Sequence, residues 1–132
     1  MSAALIVGAG DATGGAIARA FAREGYTACV NRRARNVAQL ETLVQSIEAE
    51  GFAAKAYPGD ARLEEDVTAM VDAIERDVGP IDVAVFNIGA NVNFSILETT
   101  AQVYRKVWEM AAFAGFLMGR EVAKKVWEGF NA

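Results

Sequence analysis

Short apolar runs alternate with longer segments of helical periodicity along the first ninety residues of this chain. Continuous apolar runs bounded by glycine, proline or polar residues are typical of buried strands. Segments in which apolar residues recur every three or four positions predict helices that bury one face. The predicted strands are residues 3–7, 26–31, 52–57 and 81–86, and the predicted helices are residues 13–24, 37–50 and 62–78.

This βαβαβαβ order predicts an α/β fold in which helices cover both faces of a parallel sheet. Because crossovers between parallel strands are right-handed, the natural strand order is 3-2-1-4. We therefore expect a Rossmann-type, doubly wound sheet that stops at its fourth strand. It should form a single domain over residues 1–132, with the cofactor-binding half in residues 1–90.

One long helical pattern runs from residue 99 to about residue 130, and one of its stripes is made of small residues. These are Ala112, Gly115, Gly119 and Ala123. A glycine inside a helix costs about 1 kcal/mol relative to alanine, so such a stripe suggests close approach of another backbone. We expect this face to pack against the sheet or against a second helix. Since a bare sheet edge also invites association, the chain is predicted to form a homo-oligomer through the helix at 99–130.

A glycine-rich turn, Gly8-Ala9-Gly10-Asp11-Ala12-Thr13-Gly14, connects the first strand to the first helix. The start of a helix presents unpaired N–H groups and a partial positive charge, which suit a pyrophosphate. In this interpretation Gly8 permits the tight turn, Gly10 lets the backbone approach the phosphates, and Gly14 lets the helix pack against the strand. The predicted phosphate-binding residues are Gly8, Gly10, Asp11, Ala12, Thr13 and Gly14. The alternative is a tight turn in a doubly wound protein that binds no nucleotide.

The second predicted strand ends in Asn31-Arg32-Arg33 and carries no acidic residue there. Sites specific for NAD place an acid at this point to bind the ribose hydroxyls. A guanidinium pairs with a 2′-phosphate, whereas an acid would repel it. We therefore predict NADP(H) as the cofactor rather than NAD. The alternative interpretation of the two arginines is a solvated loop.

Composition narrows the possible partners. The chain of 132 residues is 53% hydrophobic and carries a net charge of −4, without long basic runs, which argues against nucleic acid or an anionic membrane as the main partner. Cys29, the only cysteine, lies in an apolar strand and is expected to be buried. No stretch has the length and apolarity of a membrane span. We expect a cytoplasmic protein, and we assign no metal ligands.

Several motifs resemble those of the short-chain dehydrogenase/reductase family. The glycine turn, followed by Ala16-Ile17-Ala18, is similar to that family's opening. Asp60, next to Ala61, resembles the aspartate that hydrogen-bonds the adenine ring. Asn87-Ile88-Gly89-Ala90 resembles an Asn-Asn-Ala-Gly motif that supports the sheet and lines the adenosine half of the cofactor. The resemblance implies a dinucleotide cofactor, a small-molecule substrate and hydride transfer between an alcohol and a carbonyl.

The chain departs from the family pattern at several positions. Val7 replaces a threonine, Ala12 replaces the middle glycine, and Ala112 stands where the family often has an asparagine of the proton relay. The family's catalytic Tyr-x-x-x-Lys pair is missing, because the residues four positions after Tyr26, Tyr57 and Tyr104 are Val30, Ala61 and Trp108. We therefore assign no catalytic residue. The chain is expected to be the cofactor-binding portion of such an enzyme, without activity by itself.

Two other interpretations stay open. The chain could be a self-standing nucleotide-binding or regulatory module that docks on a partner. A site for an adenosyl methyl donor could also use Gly8-Ala9-Gly10 after a strand, although such sites generally want an acid where this chain has Arg32 and Arg33.

Overall fold

Four parallel strands form the centre of the protein. A computed structural model describes residues 2–10, 12–89 and 93–131. Strands β1 (Ala3–Val7), β2 (Thr27–Asn31), β3 (Ala54–Ala56) and β4 (Ile81–Phe86) pair in the order β3-β2-β1-β4. The predicted α/β class and strand order are confirmed. Strand β3 is shorter than the predicted 52–57, because it pairs with β2 only opposite Ala28, Cys29 and Val30.

Helices follow the strands as the periodicity predicts. They are α1 (Thr13–Arg23), α2 (Val37–Ala49), α3 (Glu64–Asp77), α4 (Ala101–Trp108) and α5 (Ala114–Phe130), with a short 3₁₀ turn at Ala34–Asn36. Helix α3 starts two residues later than predicted. Its first residues instead form a turn, in which the N–H of Leu63 donates to the carbonyl oxygen of Asp60 at 3.0 Å. None of the described helices is long and apolar enough to cross a membrane.

The sheet separates two apolar layers. On one face Leu5, Val7 and Cys29 pack with the buried sides of α3 and α5. On the other face Ile6 and Val30 pack with the buried sides of α1 and α2. Because β1 is covered on both faces, all five of its residues are buried, and the alternation of side chains sends Leu5 to one layer and Ile6 to the other. This double covering explains why the strands are continuously apolar in sequence.

The predicted helix at 99–130 is not a regular α-helix throughout. It begins after Thr100, whose hydroxyl oxygen accepts a hydrogen bond from the N–H of Val103 at 3.2 Å. A π-helical segment (Glu109–Phe113) then separates α4 from α5. The wider turn of a π-helix changes which residues share a face. Ala112 lies inside this segment, whereas Gly115, Gly119 and Ala123 all lie after it in α5.

The four small residues of the predicted packing face differ in the contacts they make within the chain. A Cβ atom added to Gly115 would lie 3.4 Å from the ring of Phe86 on β4, so this glycine packs against the sheet. At Gly119 an added Cβ would meet no described atom within 4 Å, and Ala112 and Ala123 are exposed. Only Gly115 therefore fulfils the expected packing role within the chain.

The hydroxyl group of Tyr57 is buried at the end of β3 without a hydrogen-bond partner among the described residues. The side chain is 9% exposed and lies in the apolar layer that contains Cys29. An unpaired buried polar group is costly, so we expect Tyr57→Phe to raise the free energy of unfolding by about 1 kcal/mol. Urea unfolding of the two proteins measures the difference, and a loss of stability in the variant would contradict this assignment.

The same burial gives an alkaline signature. Burial raises the pKa of Tyr57 from its ordinary 10.0 to about 12. The folded protein therefore disfavours the ionised phenol, and this contribution to stability is present below pH 10 and lost as the pH rises to about 12. Urea titrations across this pH range should show that the free energy of unfolding declines less steeply with pH for Tyr57→Phe than for the wild type. Cys29, whose pKa burial also raises to about 12, continues to contribute in both proteins.

Candidate functional site

The glycine-rich turn leaves β1 at the carboxyl edge of the sheet and is tightly bonded to β2. The N–H groups of Gly8 and Ala9 both donate to the carbonyl oxygen of Asn31, at 3.1 and 3.0 Å. Gly8 has φ of +86°, a conformation that side chains other than glycine rarely adopt. Gly14, in the first turn of α1, packs directly on this backbone: an added Cβ would collide with the carbonyl oxygen of Gly8 and lie 2.7 Å from the Cα of Ala9. Close helix–strand packing therefore depends on both glycines.

Asn87 holds the turn from the β4 side. Its N–H donates to the carbonyl oxygen of Val7 at 2.8 Å, and its side-chain amide donates to the carbonyl oxygen of Gly8 at 3.2 Å. An added Cβ on Gly8 would lie 2.7 Å from the Asn87 carbonyl oxygen. The first residues of the turn, Gly8 and Ala9, are thus held between the ends of β2 and β4 by hydrogen bonds to Asn31 and Asn87.

Asn31 at the end of β2 connects this strand to the loop after β3. Its side chain is buried, and its amide nitrogen donates to the carbonyl oxygens of Tyr57 and Gly59, at 2.8 and 3.3 Å. The N–H of Gly59 returns a hydrogen bond to the carbonyl oxygen of Arg32 at 2.9 Å. These contacts bring the loop that carries Asp60 next to Arg32 and Arg33. They also use the side-chain N–H groups of Asn31 for hydrogen bonds inside the protein.

Arg33 reaches from the end of β2 toward the long helix. Its Nη2 atom lies 3.5 Å from the sulfur of Met110, which belongs to the π-helical segment. Both side chains are half-buried. Met110 was not predicted as a site residue, because a methionine in a helical apolar stripe is indistinguishable from a core residue until the segment's geometry is known.

Asp60 forms an ion pair with Arg62 beside the arginines of β2. The Oδ1 atom of Asp60 accepts from the backbone N–H and the Nε of Arg62, at 2.9 and 3.0 Å, and Oδ2 accepts from Nη2 at 2.7 Å. These hydrogen bonds hold the pKa of the Asp60 carboxyl below its usual range, against the opposing effect of partial burial. The N–H of Asp60 donates to the carboxylate of Asp66 at 2.9 Å, which fixes the backbone here.

These elements enclose a cleft of about 250 Å³ at the carboxyl edge of the sheet. Ten of the predicted cofactor-binding residues line it: Gly8, Gly10, Asn31, Arg32, Arg33, Asp60, Ala61, Asn87, Ile88 and Gly89. The lining also contains five residues that were not predicted from the sequence: Arg35, Asn36, Gly59, Arg62 and Met110. Arg62 could have been suspected from its position two residues after Asp60, where a side chain can fold back on the carboxylate.

Three of the remaining predicted residues are described and do not line this cleft. Ala12 and Thr13 are exposed at the beginning of α1, and Gly14 is buried against Gly8 rather than open to the cleft. Asp11 and Ala90 fall outside the described residues. Within the described ranges, no three His, Cys, Asp or Glu side chains are grouped so that they could hold a metal ion.

The cleft is strongly positive for a chain whose net charge is negative. Among the described residues that line it, four are arginines and one is an aspartate, and that aspartate is already paired with Arg62. A dinucleotide carries its negative charges on phosphates, and arginine pairs with phosphate oxygens through two parallel N–H groups. The residues present therefore fit an adenine dinucleotide with an extra phosphate near Arg32 and Arg33.

Comparisons with known proteins agree with this architecture. A family model described as short chain dehydrogenase matches residues 2–131. A short-chain dehydrogenase structure from Rhodopseudomonas palustris is 49% identical, with a TM-score of 0.89 over 95% of this chain and 57% of that one. An actinorhodin polyketide ketoreductase solved with NADPH is 27% identical, with a TM-score of 0.88 over 94% of this chain and 47% of that one.

A curated relative gives the same picture at the level of sequence. Gluconate 5-dehydrogenase of Gluconobacter oxydans is 31% identical over 121 residues, which are 92% of this chain and 46% of the relative. The chain thus spans about half the length of such relatives.

Proposed function

The chain belongs to the short-chain dehydrogenase/reductase family, and from this premise we propose that its cleft binds NADP(H). The observation that carries the proposal is the charge of the cleft. Arg32 and Arg33 follow the end of β2, where an NAD-specific site needs an acid, and Asp60, the one acid among the described lining residues, is paired with Arg62. The similar ketoreductase that was solved with NADPH supports the same choice.

We propose further that this chain alone binds the dinucleotide without turning it over. In the family, as the resemblance implies, the bound cofactor supplies a hydride and a Tyr-x-x-x-Lys pair supplies the proton. The sequence contains Tyr26, Tyr57 and Tyr104, and none of them is followed by lysine four positions later. The residues of this chain can bind and orient the adenosine half of the cofactor. We propose hydride transfer to a carbonyl substrate only where a Tyr-x-x-x-Lys pair is supplied in addition to this chain.

Thermal unfolding with added dinucleotides tests the proposal. A ligand present at one hundred times its dissociation constant adds about 2.7 kcal/mol to the stability of the folded state, which corresponds to a rise of about 10 °C for a domain of this size. We expect NADP to raise the midpoint at lower concentration than NAD, and S-adenosylmethionine to have no effect. Absence of a shift with both dinucleotides would overturn the proposal, and a shift with S-adenosylmethionine alone would favour a methyl-donor site.

We also propose that α5 mediates self-association. Val126, Trp127 and Phe130 are 55%, 68% and 84% exposed. Together with Gly119 and Ala123 they line an apolar groove beside β4. Exposed apolar surface of this kind is typical of interfaces between proteins.

Gly119→Leu tests self-association, because it should change the surface of the groove without disturbing the fold. A side chain at this position has open space among the described residues, so the fold should be retained while the groove is filled. We expect light scattering to show an oligomer for the wild type and a smaller species for the variant. Gly115→Leu is unsuitable, because it would strike Phe86. A wild-type protein that stays monomeric at high concentration would contradict the proposal.

A further inference from the structure

The ion pair between Asp60 and Arg62 restricts what the Asp60 carboxylate can still do. Each carboxylate oxygen can accept about two hydrogen bonds. Oδ1 already accepts two, from the backbone N–H and the Nε of Arg62, whereas Oδ2 accepts one, from Nη2. Since Asp60 lines the cleft and no other described residue donates to Oδ2, the remaining lone pair of this oxygen is available to a bound ligand.

Arg62 and the backbone fix this carboxylate from several directions. The pairing with Arg62 uses a planar guanidinium fork, which sets the orientation of the carboxylate plane. The N–H of Asp60 is anchored on the carboxylate of Asp66. Glu109, at the start of the π-helical segment, adds an attractive charge on Arg62, although the hydrogen bonds to Asp60 contribute more. The Asp60 side chain is 22% and the Arg62 side chain 27% exposed, so both are partly shielded from solvent.

We propose that Arg62 is a positioning residue for base recognition: it orients the Asp60 carboxylate so that its one free lone pair accepts a hydrogen bond from the amino group of adenine. This inference rests on the proposed binding of NADP(H) in the cleft. Its chemical content is a preference for a base with an amino donor over one with an oxo group at the same position. An oxo oxygen opposite the carboxylate would leave two acceptors facing each other, with no proton between them.

The test uses NADP and its 6-oxo analogue, nicotinamide hypoxanthine dinucleotide phosphate. Calorimetry gives the dissociation constant of each, and their ratio within one protein cancels any general weakening of the site. For the wild type we expect NADP to bind about thirtyfold more tightly, in keeping with a hydrogen bond to a charged group. In Arg62→Met the ratio should fall to about threefold. Arg62→Lys, which keeps the charge without the fork, should be intermediate.

A pH profile separates positioning from a merely structural role. Arg62 lowers the pKa of Asp60 and the charge of Arg33 assists, whereas partial burial raises it. Without Arg62 the carboxyl should therefore begin to protonate as the pH falls toward about 4, its ordinary range. A protonated carboxyl can donate to an oxo group, so the ratio in Arg62→Met should shrink further as the pH falls. The wild-type ratio should fall less over the same range, because Arg62 holds the pKa of its Asp60 carboxyl lower.

The outcomes are distinguishable. If the wild type binds neither dinucleotide, the proposed function is wrong and this inference falls with it. If the wild type binds NADP but Arg62→Met keeps both the wild-type ratio and its pH profile, only the role of Arg62 is wrong. Arg76→Met, on the exposed end of α3 away from the cleft, is the charge-matched control and should behave as the wild type. Should Arg62→Met fail to fold, the ratio and pH profile of Arg62→Lys decide alone.

Discussion

Gly14→Ala is expected to lower the free energy of unfolding by about 3 kcal/mol, the upper part of the range for overpacking in a tightly packed site. The new methyl group would collide with the carbonyl oxygen of Gly8 and approach the Cα of Ala9 to 2.7 Å. Alanine favours a helix over glycine by about 1 kcal/mol, which is too little to offset this clash. Both obstacles are backbone atoms that hydrogen bonds to β2 and β4 hold in place, so they cannot move aside cheaply.

Gly10→Ala is the matched control in the same turn. A Cβ at this position would meet no described atom within 4 Å, and the φ of Gly10 is not positive. Stability should therefore stay within about 0.5 kcal/mol of the wild type. Because Gly10 lines the cleft, the added methyl should instead reduce dinucleotide affinity by about tenfold or more. Urea unfolding and calorimetry measure the two effects. Equal stability losses in the two variants would contradict the distinct roles assigned to these glycines.

Arg33→Ala is expected to weaken NADP binding by about thirtyfold and to leave NAD binding nearly unchanged. A hydrogen-bonded pair with a charged group contributes about 2 kcal/mol, and only NADP carries the 2′-phosphate that Arg33 is proposed to contact. The side chain is half-buried against the sulfur of Met110, which already keeps the guanidinium at the cleft. Dissociation constants for both dinucleotides, measured by calorimetry at one salt concentration, provide the comparison.

Arg76→Ala controls for the loss of one positive charge. Arg76 lies in the last turn of α3, where it pairs with Asp77, and this end of the helix leads back toward the opposite edge of the sheet. Its removal should not alter the ratio of the two dissociation constants. If Arg33→Ala weakened NADP and NAD equally, the arginine would contact a group that both cofactors share, and the assignment of the 2′-phosphate would be wrong. Higher salt should reduce the preference of the wild type for NADP.

Features of the site that lie within one short segment could be predicted from the sequence. The glycine turn after β1, the arginines after β2 and the Asn87 segment after β4 each follow a predicted strand. Parallel strands deliver such segments to one edge of the sheet, so their convergence around one cleft followed from the βαβ order. The resemblance to the family rested on the same segments and is confirmed over residues 2–131.

Features that depend on contacts between distant segments were missed. The pairing of Arg33 with Met110 joins residues that are 77 positions apart, and it depends on a π-helical segment that the periodicity of the sequence did not reveal. Contacts with the sheet also distinguish two glycines of the same helix α5: Gly115 meets Phe86 of β4, while Gly119 meets no described atom. A regular helix of 3.6 residues per turn was the wrong assumption across residues 109–113.

The sequence by itself determined the alternation of strands and helices, the strand order and the edge at which chemistry collects, because apolar periodicity and the handedness of crossovers act over short stretches of chain. The tertiary structure alone decided which predicted residues line the cleft and which are engaged in hydrogen bonds or packing contacts inside the protein. Asn31 is bonded to the loop after β3, Gly14 is covered by the turn, and Arg62 closes on Asp60. Such outcomes depend on distances between elements, and packing sets those distances only when the whole sheet is assembled.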